Sequence, residues 1–275
     1  MVEHSTANRA GLAIRAAIVS DTHFEHGNDP LDLEFLAGKA DVLIAAGDIA
    51  DGTRGIDWLA TCPIPVVYVV GNHELYRRDA EKGRAAIAYA ATQHPHIHVL
   101  DDDWIDLDFD GGRRARILGG TLWTDYRFFG EKHRARSMLW AARGINDHRT
   151  IRHRDGLWSP ADAADAFERT REFLASELAK PFDGDLTIVV THHAPTPRVV
   201  EEKHLGSLYN ASFASDLEDL FPLADAWVYG HTHWSTDMMI DGCRVVSNQH
   251  GYSWESKDFE IRIFDFVARG RGGNP

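Results

Sequence analysis

Five short motifs that contain aspartate, histidine or asparagine are spread along the 275-residue sequence, each directly after an apolar run. Their carboxylate, imidazole and amide groups are donors for transition-metal cations. Gathered at one place, they could hold two ions side by side, and a hydroxide held between such ions can hydrolyse a phosphate ester. The motifs are Asp21-Thr22-His23, Gly47-Asp48, Gly71-Asn72-His73-Glu74, Thr191-His192-His193 and Gly230-His231-Thr232-His233.

Each motif also has an ordinary structural explanation when it is taken alone. Asp21 and His23 would face the same way along an extended strand, because strand side chains alternate, but an Asp-x-His at a strand end is commonly a cap or a turn. Asp48 could bridge two ions with its two oxygens, or it could cap a helix. Gly71-Asn72 could be a plain turn. The joint occurrence of all five motifs, each after a predicted strand, favours a metal site.

The order and spacing of the motifs resemble those of the calcineurin-like metallophosphoesterases over most of the chain. The resemblance implies that His73 does not bind metal but protonates the leaving oxygen of the substrate. Oxygen and nitrogen donors without thiolate suit manganese, iron or zinc, and the sequence does not choose among them. The implied ligands are Asp21, His23, Asp48 and His233 for metal one, and Asp48, Asn72, His192 and His231 for metal two.

A carboxylate is expected beside His73, because a charged histidine is the better proton donor. Asp51 matches the position whose carboxylate orients this histidine in related phosphatases. A turn residue before Gly52 explains Asp51 equally well. The protein serine/threonine phosphatase branch carries Arg-Gly after this aspartate, whereas Gly52-Thr53 follows here, so that branch is disfavoured.

Residues 123–156 form a basic and aromatic insert in an otherwise acidic chain. This insert could be a lid that pairs cations with phosphate and stacks on an apolar leaving group. The alternative is a solvated helical insert whose charges face water. Arg127, Asn146 and Arg149 of the insert are predicted to contact the substrate, and His193 of the fourth motif either lines the pocket or is structural.

The motifs must be positioned by an alternation of strands and helices. Apolar runs at 13–20, 41–46 and 66–70 predict buried strands that end in motif residues, with helices at 30–39 and 53–60 between them. This pattern predicts an α/β fold with right-handed crossovers. Further strands are predicted at 97–100, 104–109, 116–122, 186–190, 226–229, 237–240, 243–247 and 259–266, and helices at 80–93 and 161–180. The resemblance implies an α/β layered sandwich of two mixed β-sheets flanked by helices. No linker divides the sequence, so we predict a single domain over residues 1–275, with 268–275 as a loose tail.

Composition narrows the function further. The formal net charge is −13, and two divalent ions would leave it at about −9, so long nucleic acids are disfavoured as substrates. No apolar run reaches the length of a membrane span, and the N-terminal residues carry no signal-peptide pattern. The cysteines Cys62 and Cys243 form no disulfide pattern. We therefore expect a cytoplasmic protein.

The sequence as a whole predicts a metal-dependent hydrolase of small phosphomonoesters or phosphodiesters. Cyclic-nucleotide phosphodiesterase and nucleotide pyrophosphatase are alternatives, since nothing in the sequence separates monoester from diester substrates. The non-enzyme alternative is a metal-binding scaffold module. It is disfavoured because every ligand position and His73 are filled. The sequence gives no indication of oligomeric state.

Overall fold

Two mixed β-sheets pack face to face in the computed structural model, which describes residues 13–255 and 258–268. Helices cover their outer faces. The strands are β1 (Ile14–Val19), β2 (Val42–Ala45), β3 (Val66–Val69), β4 (Ile97–Leu100), β5 (Asp103–Phe109), β6 (Arg113–Gly120), β7 (Arg152–His153), β8 (Gly156–Leu157), β9 (Leu186–Thr191), β10 (Ala226–Val228), β11 (Asp237–Ile240), β12 (Cys243–Val246) and β13 (Arg262–Phe266). The α-helices are α1 (Arg54–Leu59), α2 (Ala80–Ala91), α3 (Arg134–Gly144), α4 (Asp147–Thr150) and α5 (Pro160–Leu178).

The first sheet has the strand order β13-β1-β2-β3-β4, and the second has the order β11-β12-β10-β9-β6-β5. Strands β1 to β4 run parallel, as do β6, β9, β10 and β12, whereas β13, β5 and β11 are antiparallel edge strands. Because the carboxyl ends of parallel strands meet at one edge of a sheet, the loops after β1, β2, β3, β9 and β10 gather together. These are the loops that carry the five motifs.

Three layers of apolar side chains hold the two sheets and the helices together. Alternate residues of both sheets, such as Ile18 and Ile188, fill the space between the sheets. The outer face of the first sheet packs against α1 and α2, and Phe167 of α5 packs on the outer face of the second. Helix α5 begins with a capping box in which Ser159 and Asp162 exchange hydrogen bonds. The strands next to the motif loops are therefore buried on both faces.

The predicted helix at 30–39 is wrong. Only a 3-10 turn, Glu34–Leu36, forms there. Leu33 and Leu36 are the buried residues of this segment, and Gly38 adopts a φ of 69° in the left-handed region. Burial of two leucines does not stabilise a ten-residue helix, so the segment forms only this short turn.

The other predicted elements form, with shifts at their ends. The strand expected at 116–122 spans Arg113–Gly120, and the one expected at 259–266 begins only at Arg262. Of the predicted tail at 268–275, residues 269–275 lie outside the described part of the chain, as does the N-terminal segment 1–12. Within the described ranges, no helix combines the length and apolar character needed to cross a bilayer.

Candidate metal centre

The motif residues lie just beyond the ends of their strands, in an unusual backbone conformation. Strand β1 ends at Val19 and β10 at Val228, so strand alternation is not what aligns the histidines that follow. Most predicted ligands instead have positive φ, which costs energy for any residue other than glycine and is concentrated at functional sites. These residues are Asp21 (54°), His23 (45°), Asp48 (53°), His231 (71°) and His233 (51°).

The first predicted metal position is surrounded by Asp21, His23 and His233. The Nε2 atoms of the two histidines are 3.0 Å apart, and Asp21 Oδ1 lies 4.0 Å from His23 Nε2 and 3.6 Å from His233 Nε2. Ligand atoms of all three residues lie within 4.8 Å of one another. The three groups are therefore close enough together to bind a single cation.

The second predicted position is surrounded by Asp48, Asn72, His192 and His231. His192 Nε2 lies 3.4 Å from Asp48 Oδ2 and 2.9 Å from Asn72 Oδ1. Ligand atoms of Asp48, His192 and His231 all lie within 4.8 Å of one another. His231 Nε2 donates to the backbone carbonyl of Ser212 at 3.2 Å, which leaves Nδ1 as its available nitrogen.

Asp48 lies between the two positions. Its Oδ2 is 3.9 Å from His23 Nε2 on one side and 3.4 Å from His192 Nε2 on the other. Its Oδ1 accepts the backbone N–H of His73 at 2.8 Å, which fixes the plane of the carboxylate. Asp48 is thus placed as the residue that could bridge two cations.

Hydrogen bonds behind the site set the tautomers of three histidines. His192 Nδ1 donates to the backbone carbonyl of Ala46 at 2.8 Å, His233 Nδ1 to Glu255 at 2.6 Å, and His23 Nδ1 to Glu25 at 3.2 Å. When Nδ1 carries the proton, Nε2 presents a lone pair. In the first cluster the two Nε2 atoms face each other, and in the second Nε2 of His192 faces two oxygens. Each arrangement calls for a positive charge between these atoms, either a proton or a metal cation, so the donor set fits bound metal.

The electrostatics of the second cluster agree with this geometry. Burial opposes the charged form of His192, but the neighbouring Asp48 carboxylate outweighs burial and raises the pKa of His192 to about 10. The pKa of Asp48 itself is held well below its usual value despite burial, because three imidazoles surround it. The cluster therefore attracts positive charge.

Asn72 is oriented by residues that the motifs alone do not reveal. Its Nδ2 donates to Asp147 Oδ1 at 2.8 Å and contacts Tyr76 Oη at 3.2 Å, so its carbonyl oxygen turns towards His192. Asp147 begins α4 and is buried. Part of the insert at 123–156 therefore supports a predicted ligand, which is a role distinct from contact with substrate.

The glycines that begin the second and third motifs allow the loops that carry these motifs to come into contact. A Cβ atom on Gly71 would lie 2.1 Å from Asp48 Oδ1, and one on Gly47, whose φ is 87°, would lie 2.4 Å from His192 Nδ1. The buried Glu74 carboxylate locks these loops together by accepting the backbone N–H groups of Gly71, Asp48 and Ile49 at 2.8–3.1 Å. The fourth residue of the third motif is therefore structural.

His73 lies over the site with its ring between two acidic groups. Its Nδ1 donates to Glu25 Oε1 at 2.9 Å, and its Nε2 is 3.9 Å from Asp48 Oδ2. Burial disfavours the charged ring, but the Asp48 carboxylate and the hydrogen bond to Glu25 raise the pKa of His73 to about 9. The Tyr252 hydroxyl lies 3.3 Å from Nε2. His73 therefore has the surroundings of a proton donor.

The carboxylate beside His73 belongs to Glu25, which corrects the expectation for Asp51. Both Asp51 oxygens pair with arginines, Oδ1 with Arg54 at 2.9 Å and Oδ2 with Arg78 at 3.1 Å. Glu25 lies two residues after His23, on a 3-10 turn that folds back over the first motif. The sequence signal for this role was a carboxylate two residues after a motif histidine. The direction in which the Glu25 side chain points, however, depends on the left-handed conformation of His23.

Replacing Glu25 tests its positioning role. Because one Glu25 oxygen accepts from both His23 and His73, Glu25→Gln should lower kcat by about 10–100-fold. Glu25 raises the pKa of His73, so its loss should move the alkaline limb of the pH profile to lower pH, where the proton donor is lost earlier. Asp51→Asn is the matched control. A pH–rate profile unchanged from wild type would contradict the role.

Three of the four predicted substrate-contacting residues do not line the cavity beside the clusters. Arg127 pairs with Glu168 at 3.0 Å and with Glu131, because acidic side chains of its own neighbourhood reach it first. Arg149 is exposed on α4, outside the cavity wall. His193 is buried behind His231, with ring centroids 4.1 Å apart, and burial lowers its pKa to about 3. Asn146 does line the cavity.

The cavity in front of Asp48, His73 and His231 has a volume of about 650 Å³. Its walls come from the α3–α4 junction and from two loops, 200–213 and 231–255. From the basic insert, only residues 144–147 take part. Closure of the insert as a lid stays a prediction.

Comparisons with known proteins agree with the fold and with the motif order. The family model described as calcineurin-like phosphoesterase matches residues 14–235. The chain belongs to the calcineurin-like phosphoesterases. The matched segment carries all five motifs and the loops that the sheets bring together.

Individual relatives of this phosphoesterase are distant. An uncharacterized protein of Acanthamoeba polyphaga mimivirus is 26% identical over 254 residues, which cover 84% of this chain and 83% of the viral protein. The phosphopantetheinyl hydrolase of Mycobacterium tuberculosis superimposes with a TM-score of 0.71 at 20% identity, over 94% of this chain and 98% of that structure. The protein TT1561 of Thermus thermophilus gives a TM-score of 0.50 at 16% identity, over 86% and 90% of the two chains. At these identities the solved structures show a shared fold.

Family membership and the clustered donors establish the broad chemistry. The protein is a metal-dependent phosphoesterase, and its His and Asp clusters indicate a dinuclear metal centre. Both mixed sheets and their flanking helices match the architecture of the structural neighbours.

Proposed function

We propose that this phosphoesterase hydrolyses small organic phosphate esters at a pair of manganese, iron or zinc ions. Asp21, His23 and His233 would hold one ion, Asn72, His192 and His231 the other, and Asp48 both. The observation that carries the proposal is the convergence of histidine nitrogens with carboxylate and amide oxygens in two clusters that meet at Asp48 Oδ2. Bound ions supply Lewis-acid contacts to phosphate oxygens and an activated water.

The side chains of the protein supply the remaining steps. His73 would donate its Nε2 proton to the departing ester oxygen. Glu25 holds the opposite nitrogen of the same ring and keeps Nε2 turned towards the site. Asp147 and Tyr76 keep the Asn72 oxygen pointed inward. No side chain is placed as a nucleophile in this scheme, so we expect no covalent enzyme intermediate.

Chelation and reconstitution test the proposal. Wild-type protein should release nitrophenol from p-nitrophenyl phosphate or bis-p-nitrophenyl phosphate, and a chelator should reduce the rate by at least about 10³-fold. Manganese, iron and zinc, added singly, should restore the activity to different extents and identify the working metal. Activity that survives full removal of metal would overturn the proposal, and metal binding without turnover on either compound would support the scaffold alternative.

A substrate panel separates the remaining alternatives. The rate ratio of the two nitrophenyl compounds distinguishes a monoesterase from a diesterase. A cyclic nucleotide, a nucleotide pyrophosphate and a phosphopantetheinyl ester test cyclic-nucleotide phosphodiesterase, nucleotide pyrophosphatase and the activity named for the Mycobacterium tuberculosis neighbour. The preferred compound is the one with the highest kcat/KM.

A further inference from the structure

The cavity is much larger than a phosphate group requires. Its volume of about 650 Å³ lies in the range of pockets that enclose drug-sized organic molecules. Of the predicted ligands, Asp48, Asn72, His231 and His233 line part of it, and residues of 144–147 and 200–213 line other parts. Most of this space is therefore available to the organic part of a phosphate ester.

Aromatic and aliphatic side chains stand among the polar groups of the wall beyond the metal clusters. Tyr209 and Trp234 stand on different wall segments, and Ile145 and Val200 contribute aliphatic surface. Trp234 remains 44% exposed, so its ring face is available to a ligand. Apolar and aromatic surface of this kind binds uncharged chains and rings, since their burial is favourable and needs no paired charge.

The charged groups of the wall are mostly acidic. Asp147, Glu201 and Glu255 line the cavity in addition to the predicted ligand Asp48. The Nζ atom of Lys203, the lysine of this wall, lies 2.6 Å from Glu201 Oε2 and is neutralised there. Among the described lining residues there is no arginine, the side chain best suited to grip a phosphate in two-point contact.

We propose that this cavity selects organic esters that carry a single phosphate and an elongated uncharged arm, and that it rejects esters with a second phosphate. This proposal depends on the proposed hydrolysis at the metal clusters, and it specifies the class of substrate that is hydrolysed there. A second phosphate on the arm would meet the carboxylates of Asp147 and Glu255, whose like charge opposes its binding, whereas Glu201 and Lys203 neutralise each other.

Three esters with one leaving group test the selection directly. They are p-nitrophenyl methyl phosphate, p-nitrophenyl 6-hydroxyhexyl phosphate and the same hexyl ester with its hydroxyl phosphorylated. If the enzyme prefers monoesters, the alkyl phosphates with the same three arms and no nitrophenyl group are used instead, and the release of phosphate is measured. The hydroxyhexyl compound should have a kcat/KM at least about tenfold higher than either of the others. It should exceed the methyl ester because its arm is buried in the cavity, and the phosphorylated ester because that compound carries a second negative group.

A charge introduced into the wall provides the second test. Ser207 lines the cavity and is half-buried. Ser207→Arg should therefore raise kcat/KM for the phosphorylated ester, and the preference for the hydroxyhexyl ester over the phosphorylated one should fall by at least about threefold. Tyr89→Arg is the matched control, because Tyr89 is 72% exposed on α2, outside the cavity wall. It adds the same charge and should leave the preference unchanged.

The outcomes distinguish this selection from the proposed function. Metal-dependent hydrolysis of bis-p-nitrophenyl phosphate or p-nitrophenyl phosphate with equal kcat/KM for all three arms would overturn the selection and leave the hydrolysis standing. A preference for the phosphorylated arm would overturn it as well. Chelator-resistant activity would instead count against the metal clusters.

Discussion

Asp48→Asn should abolish both metal binding and catalysis, the largest effect expected for any single substitution in this protein. The change is nearly isosteric and keeps an oxygen that can accept the His73 backbone N–H. It removes the negative charge that lies 3.9 Å from His23 and 3.4 Å from His192. Loss of one electrostatic stabiliser of this kind lowers kcat by at least about 10³-fold.

Elemental analysis of the purified variant should find fewer than two tightly bound ions per chain, whereas we expect two in the wild-type protein. Asp51→Asn is the control, since it makes the same chemical change three residues away on a carboxylate that pairs with Arg54 and Arg78. The control should keep both its metal and its activity. Two firmly bound ions in Asp48→Asn would show that Asp48 does not bridge them.

His73→Asn should separate catalysis from metal binding. We expect kcat to fall by about 10²–10⁴-fold, the usual contribution of a general acid. The metal content should stay at the wild-type value, because the backbone N–H that orients Asp48 is retained and the ring of His73 is not among the predicted ligands.

The leaving group identifies the step that is lost. A nitrophenolate leaves without much help from an acid, whereas an alkoxide needs its proton in the transition state. The loss in His73→Asn should therefore be larger for alkyl esters than for nitrophenyl esters. Equal losses for both classes, or metal lost in parallel with activity, would contradict the role of His73 as proton donor.

The donor groups that cluster in the structure, and the strands that deliver them, could be predicted from the sequence. Apolar runs that end in Asp21, Asp48, Asn72, His192 and His231 specify where strands stop and donors begin. Parallel strands place such ends at one sheet edge, which follows from local pattern and topology alone. For the same reason most strands and helices α1, α2 and α5 lie close to their predicted places.

The tertiary structure alone decided which groups surround the metal ligands. Glu25 displaces Asp51 as the partner of His73 because a left-handed backbone at His23 turns the chain back over the first motif. Asp147 accepts a hydrogen bond from Asn72, which lies 75 residues away in the sequence. Arg127 forms a salt bridge with Glu168 and does not point into the cavity. Such contacts depend on loop geometry and on competition between distant side chains, which leave no periodic signal in the sequence.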